Sequence, residues 1–361
     1  MTDPNEEFHR RYQEVPYGRE SVSILEEWIR HANTTNEIEM SYGLRREYIR
    51  ECINEGMPEK AIVAFSWCMT QFDKNEELDD WHSLLWQYKT ILELIPIFSA
   101  VSREQITQMQ EDMAGRLASY GHNERTAHYY RSWNLMRMGD YEKAMEYQEA
   151  YLAMERTSIS DCIACERDRQ IELLSRMQKN DEALASAAPV LSGEMACSEV
   201  PEFTNGHLVK ALLRKGDIKG ARERQHIGYK LVCDEEKYLG TIGDLLLAVI
   251  RAGNFEEGIQ QVNRHLPWAV TAHADELQMR FYAPVGLLFE KLASERPQSI
   301  GLRVPRELDC YSDDGRYDPA ELGHWFRTQA ETIAARFNQR NGNLTWTRTF
   351  EEYRELADIA G

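Results

Sequence analysis

The sequence predicts an all-α chain of stacked helical hairpins, and three observations carry that prediction. First, one turn recurs: Gly56-Met57-Pro58-Glu59-Lys60-Ala61 returns at Gly139 to Ala144, Gly216 to Ala221 and Gly253 to Gly258, with a shorter relative at Lys179 to Ala183. Second, the closing residues Ala61, Ala144, Ala183, Ala221 and Gly258 lie 83, 39, 38 and 37 residues apart, so the first gap holds two units and the others one. Third, apolar residues between turns follow helical spacing, and strand-like alternation is almost absent. A fixed period with one turn per period describes an α-solenoid, in which each hairpin buries its apolar face only against its neighbours.

The elements follow in order. A helix begins near Arg19 with Ile24, Leu25, Trp28 and Ile29 on one face, and reads as a cap over the first repeat. Asn36 followed by Glu39 suits a capping box for the next helix, which stops at Gly56. Pro58 opens its partner, which runs to about Phe72; a first-turn proline fits because its missing N–H would have had no intrahelical acceptor. In the unit from Asp79 to Ser119, Pro96 and a cap at Ser102-Arg103-Glu104-Gln105 replace the glycine turn. Hairpins then span Glu124 to Arg156, Asp161 to Leu191, Glu202 to Cys233 and Glu236 to Leu266. Beyond these lie a long helix from His273 to Glu295, a Pro- and Asp-containing loop, a helix from Pro319 to Asn341 ended by Gly342, and a closing segment from Phe350 to Ile359. The expected domains are therefore an N-terminal capping helix (1–36), helical repeats (37–270), and a C-terminal helical cap (271–361) with a loop near 297–318.

Composition narrows the function classes. Sixty Asp and Glu against 42 Lys and Arg give a net charge of −18, a field that repels polyanions, so neither nucleic acid nor an anionic membrane is expected as partner. The segment from Met1 to Tyr17 is charged and lacks an apolar core, and no apolar run is long enough to span a bilayer, so the expected location is cytoplasmic. Seven cysteines scattered over a long chain suit a reducing compartment. No phosphate-binding glycine loop, His-Glu-x-x-His or Gly-x-Ser-x-Gly motif is present, so no catalytic role is expected.

The turn and its surroundings resemble the tetratricopeptide repeat family. Ser132, Gly139, Tyr141 and Ala144 match its small, glycine, aromatic and small positions, as do Gly56, Ala61 and Phe65, Gly216 with Ala221, and Gly253 with Phe255. The likeness covers roughly Ile38 to Leu266. It departs from the family where His128 replaces the leading Trp, where the closing Pro is missing, and in its longer period. The resemblance implies a superhelix with a concave groove for peptides or partner proteins.

Two residues before each turn glycine or its equivalent stand Arg137, Arg176, Arg214 and Arg251, with Asn54 in the first unit. On the family's pattern this ladder would face the groove. Lys210 one turn before Arg214, and Arg46 one turn before Arg50, resemble carboxylate-binding basic pairs, which implies an acidic ligand or a free C-terminal carboxylate. A cation in the last turn of a helix also simply complements the macrodipole. Tyr129 and Trp133 would line the groove on the family's pattern, or else fill the gap between hairpins.

Cys162 and Cys165 form the only CxxC and open the first helix of their unit; Cys197, just past that hairpin, should return to the same end. The three thiols suit a structural zinc site with Asp161, His128 or His207 as fourth ligand, or a redox pair, or ordinary packed thiols. The expectation is thus a scaffold or adaptor that binds a peptide or protein and needs no cofactor, zinc apart. The alternatives are a peptide-responsive regulatory protein, resembling bacterial signalling proteins built on these repeats, and a zinc or thiol protein.

Overall fold

In a computed structural model, which describes residues 3–359, 18 α-helices form among the described residues. They are α1 (Pro4–Glu14), α2 (Arg19–Thr34), α3 (Ile38–Asn54), α4 (Pro58–Phe72), α5 (Trp81–Leu94), α6 (Arg103–Ser119), α7 (Arg125–Arg137), α8 (Tyr141–Leu152), α9 (Ile163–Arg176), α10 (Asn180–Ser186), α11 (Ala188–Leu191), α12 (Glu202–Arg214), α13 (Ile218–Val232), α14 (Leu239–Arg251), α15 (Phe255–Thr271), α16 (Asp275–Glu295), α17 (Pro319–Asn341) and α18 (Thr345–Ala357). Between α16 and α17, β1 (Ile300–Gly301) pairs antiparallel with β2 (Arg316–Tyr317). The protein is all-α, with neighbouring helices packed in a manner compatible with a helical repeat. The ends of the expected capping segments, Met1, Thr2, Ala360 and Gly361, lie outside the described residues.

The recurring turn works through one backbone conformation. Gly56, Gly139, Gly216 and Gly253 all have φ between 67° and 82°, in the left-handed region that a Cβ disfavours. Gln178 takes the glycine's place in the shorter turn, also left-handed at φ 59°. At each position the next residue's N–H reaches back five residues, as in Met57 to the Cys52 carbonyl, Lys179 to Leu174 and Asp217 to Leu212, which satisfies helix-end carbonyls that would otherwise be orphaned. Five residues beyond the glycine the chain needs a small side chain: Ala61, Ala144, Ala183 and Ala221 are fully buried. A Cβ on Gly258 would stand 2.8 Å from Leu288.

Asn36 departs from expectation. It does not cap α3, whose N-cap is Glu37 with no side-chain bond; it is itself left-handed (φ 58°) and ends α2, with Glu37 N–H donating to the Ala32 carbonyl. Asn tolerates this conformation, so the same turn is built there without glycine. By contrast, the Ser102 cap forms with Gln105 in both directions. A further helix, α1, precedes Arg19, started by the Asp3 cap, Pro4 in its first turn and Glu6 and Glu7.

The chain divides into two compact units, 1–113 and 114–361, a boundary inside α6. In the first, Phe65 meets Tyr88 edge-on at 4.8 Å, and Trp28 donates to Asn5 of α1. In the second, the first helices of successive hairpins, α9, α12, α14 and α16, pack in order, and α8, α10, α13 and α15 each pack on the following hairpin's first helix. α18 returns over α12, α14 and α16.

A left-handed residue with a side chain costs about 1–2 kcal/mol that glycine avoids. Gln178→Gly is therefore expected to stabilise the protein by roughly 0.5–1 kcal/mol. Gly216→Ala and Gly253→Ala, which meet no neighbouring atom and suffer only the backbone penalty, are expected to destabilise it by about 1–2 kcal/mol. Denaturant titrations of the variants check both signs.

Candidate functional site

The inner face of the second unit is built from the last turns of the hairpins' first helices, and it is charged. Arg137 at the end of α7 is only 7% exposed and pairs with Glu172 of α9 (3.2 Å) and Glu276 of α16. Arg176 at the end of α9 binds the same two carboxylates, at 2.8 and 3.7 Å. Arg214, ending α12, pairs with Glu352 of α18 and donates to the Ser175 carbonyl (2.8 Å) at the end of α9. Arg251 meets Asp358 at 3.0 Å. Arg137 and Arg176 thus share two carboxylates, and each of the four ladder guanidiniums already holds a carboxylate of its own chain.

The other expected residues fall in three environments. Lys210 is buried and donates to Asp244 (2.8 Å), which also accepts from Arg280 (2.5 Å) and from the Tyr353 hydroxyl of α18 (2.7 Å). Trp133 is buried, with the guanidiniums of Arg137 and Arg169 stacked 4.1 and 3.7 Å from its ring, contacts that favour both cations there. Tyr129 is buried against Tyr130 and Tyr151. In the first unit, Arg46 pairs with Asp79, and Arg50 with Glu47 beneath the exposed ring of Tyr17. Both line a cavity of about 510 Å³ between α3 and α5, together with Asn54 and Trp86. Trp86 is 38% exposed there.

Burial and pairing set the protonation of the inner face. Desolvation would raise the Glu172 carboxyl, but Arg137, Arg176, His207 and Arg169 outweigh it and hold it well below the usual range. Desolvation pulls Lys210 down to about 8, with Asp244 opposing. Asp244 itself is depressed, against its desolvation, by Arg280 and Lys210. A carboxylate buried without partners would be very costly; with two cations and a phenol around it, it stays ionised.

Where α18 crosses this face, a cavity of about 230 Å³ remains. Its lining includes Arg176, Lys210, Arg214, Arg280 and Arg348 against Glu142 and Glu352. Arg348 of α18 is exposed. α18 is seated through buried Trp346 and Tyr353, and Asn343 just before it donates to the Met138 carbonyl of the first glycine turn in this unit (2.7 Å). A Cβ on Gly139 would collide with Thr345, so that glycine serves both its own turn and the seating of α18.

The acidic partners were not foreseen, although Asp244 carried a signal. It stands inside the apolar stretch from Ile242 to Ile250, where a lone acid must find a buried cation. Along the Glu202 hairpin, Lys210 pairs with Asp244, Arg214 with Glu352, Lys215 with Asp181 and Arg222 with Glu257.

Cys162, Cys165 and Cys197 do converge, with all three Sγ atoms within 4.8 Å of one another and Cys165 Sγ 3.4 Å from Cys197 Sγ. The cluster is one that can hold a metal ion. Against its desolvation, the backbone N–H groups of Cys165 and Ala164 lower the Cys162 thiol; burial and the neighbouring Cys197 raise Cys165. The expected fourth ligands are elsewhere: His207 faces Asp168 (3.7 Å), His128 faces Glu124 (3.6 Å), and Asp161 accepts from Tyr130. Among the described residues no further His, Cys, Asp or Glu joins the three thiols. Cys52 and Cys68 are core residues whose thiols burial pushes up to about 11 and about 12.

No protein-family model matches the chain, and no curated protein matches it. No helix among the described residues is long and apolar enough to cross a membrane.

Removing a buried partner leaves an uncompensated charge, whereas removing an exposed one does not. Arg137→Ala is expected to cost about 3–5 kcal/mol, and Arg251→Ala less than about 1 kcal/mol, as read by thermal and denaturant unfolding. A pH effect follows from His265, buried with Nε2 2.9 Å from the Tyr229 hydroxyl and lowered by desolvation from 6.5 to about 3. The unfolded chain takes up this proton below pH 6.5 while the folded chain resists, so stability falls as pH drops. From there down to about 4, where ordinary carboxylates begin to protonate, His265→Gln should flatten the slope of stability against pH.

Proposed function

We propose that the chain is a non-catalytic, cytoplasmic helical-repeat scaffold, with tetratricopeptide-like superhelical stacking, that binds an acidic peptide or partner segment on its arginine-lined inner face. One observation carries this reading: the 230 Å³ cavity beside α18, where five cations face two carboxylates. α18 supplies the precedent for ligand chemistry, since Glu352 and Tyr353 meet Arg214 and Asp244 on the same face. An added carboxylate, from an acidic side chain or a free C-terminus, would meet Arg348 and the outer edges of Arg214 and Arg176 in bidentate fashion. The thiol cluster is read as a structural zinc site bracing the same scaffold.

The test uses the full-length protein and an immobilised peptide array in which each sequence ends either in a free carboxylate or in an amide, with acidic and neutral members. Acidic or carboxylate-ending peptides are expected to bind, and Arg348→Ala, at an exposed position, should weaken them about 10–100-fold, the worth of a charge-assisted hydrogen bond. Equal binding of acidic and neutral peptides, or indifference to Arg348→Ala, would sink the reading.

A regulatory role is favoured by one further observation: the inner face is already occupied by a helix of the same chain. A ligand of matching chemistry would compete with α18 for Arg214. Hydrogen exchange of residues 345–357 should then rise on peptide binding; unchanged protection at saturation leaves a rigid scaffold.

A further inference from the structure

The thiol cluster is more specific than a structural zinc site. Its donors come from two directions: Cys162 and Cys165 from the first turn of α9, and Cys197 from the loop between α11 and α12. Both supports are fixed. Glu166, next to Cys165, is buried and accepts from Arg125 through both oxygens (2.7 Å each) and from Arg156 (2.6 Å), and Arg156 also donates to the Asp161 carbonyl. On the other side, Cys197 N–H donates to the Val200 carbonyl (3.1 Å), and Glu199 N–H lies 3.5 Å from Cys197 Sγ as a donor. Val200, Ala164, Val190 and Leu208 belong to one apolar cluster, against which Cys165 and Cys197 pack.

Three sulfurs bound tetrahedrally at about 2.3 Å from zinc would lie about 3.8 Å apart. The 3.4 Å between Cys165 and Cys197 Sγ, and the 4.8 Å within which all three sulfurs lie, stand on either side of that value. Thiolates favour Zn²⁺ over the oxygen-seeking Mg²⁺ and Ca²⁺. A closed structural site, however, has four protein ligands, and here no fourth His, Cys, Asp or Glu among the described residues joins the three. Cys162, the outermost donor, is exposed.

We propose that Cys162, Cys165 and Cys197 hold Zn²⁺ as an open three-thiolate site, whose fourth coordination position takes an exchangeable ligand from outside the chain, water or a nitrogen or sulfur donor. This rests on the zinc reading of the cluster and goes beyond it, because a purely bracing ion would be coordinatively closed. The metal ties the loop 192–201 to the start of α9, and its outward face presents a Lewis-acidic position at the junction of two hairpins.

The test uses the full-length protein, stripped with a chelator and kept reduced with a phosphine so that no added thiol competes. Co²⁺ serves as spectroscopic probe and Zn²⁺ as competitor. Stoichiometric uptake is expected, with thiolate-to-cobalt charge-transfer bands that Zn²⁺ abolishes and a rise in unfolding temperature with Zn²⁺. Cys165→Ser and Cys197→Ser should lose more affinity than the ~10–100-fold typical of an outer-shell change, while Cys233→Ser binds normally. Adding imidazole should then shift the cobalt ligand-field bands. Metal uptake with bands indifferent to imidazole overturns the open position and leaves a bracing zinc. No uptake by the folded, reduced wild type, or a Cys165–Cys197 disulfide in protein isolated under thiol-trapping conditions, overturns the metal altogether.

Discussion

The second unit depends on charge neutralisation in its interior. Its hairpins present Arg137, Arg176, Lys210 and Arg280 toward one another, and a buried cation is tolerable only if a carboxylate stands beside it. Glu172, Asp244 and Glu276 each serve two or more of these cations, so no helix can shift along its neighbour without stranding a charge. Apolar faces alone would accept several registers; the shared carboxylates accept one. Arg137 and Glu276 are 139 residues apart in sequence yet form an ion pair, so α7 and α16 are tied into the same network.

That network also explains the seating of the C-terminal helix. Tyr353 completes the hydrogen bonding of Asp244, and Glu352 neutralises Arg214, which in turn caps the end of α9. Trp346 lies buried near the Arg176 guanidinium, 5.7 Å from its ring. The inner face therefore combines three tasks in the same side chains: closing helix ends, fixing register and holding a helix. A cationic surplus is left over at Arg348 and the rim of the 230 Å³ cavity.

Much of the architecture was legible because it rests on local rules. Gly56, Gly139, Gly216 and Gly253 mark left-handed helix stops, which depend on backbone sterics alone. The shorter turn was recognisable from Asn180 to Ala183 even though Gln178 occupies the glycine site. Asn36 was read as a start when it is a stop, since asparagine suits both an N-cap and a left-handed C-terminus and only the neighbouring helix distinguishes them. The convergence of Cys197 on the CxxC followed from hairpin geometry. The whereabouts of a fourth ligand did not, because it depends on where His128 and His207 point.

By itself the sequence determined the helical class, the places where hairpins turn, and the alignment of four arginines and three cysteines, all consequences of periodicity and backbone stereochemistry. Only the tertiary structure decided which carboxylate each arginine meets, that α18 packs over α12, α14 and α16, and that no fourth protein ligand among the described residues joins the three thiols. The reason is physical: pairing partners such as Arg137 and Glu276, or Arg214 and Glu352, are brought together by the packing of elements far apart in the chain. A buried charge reveals that it needs a partner; the fold alone says which one it has.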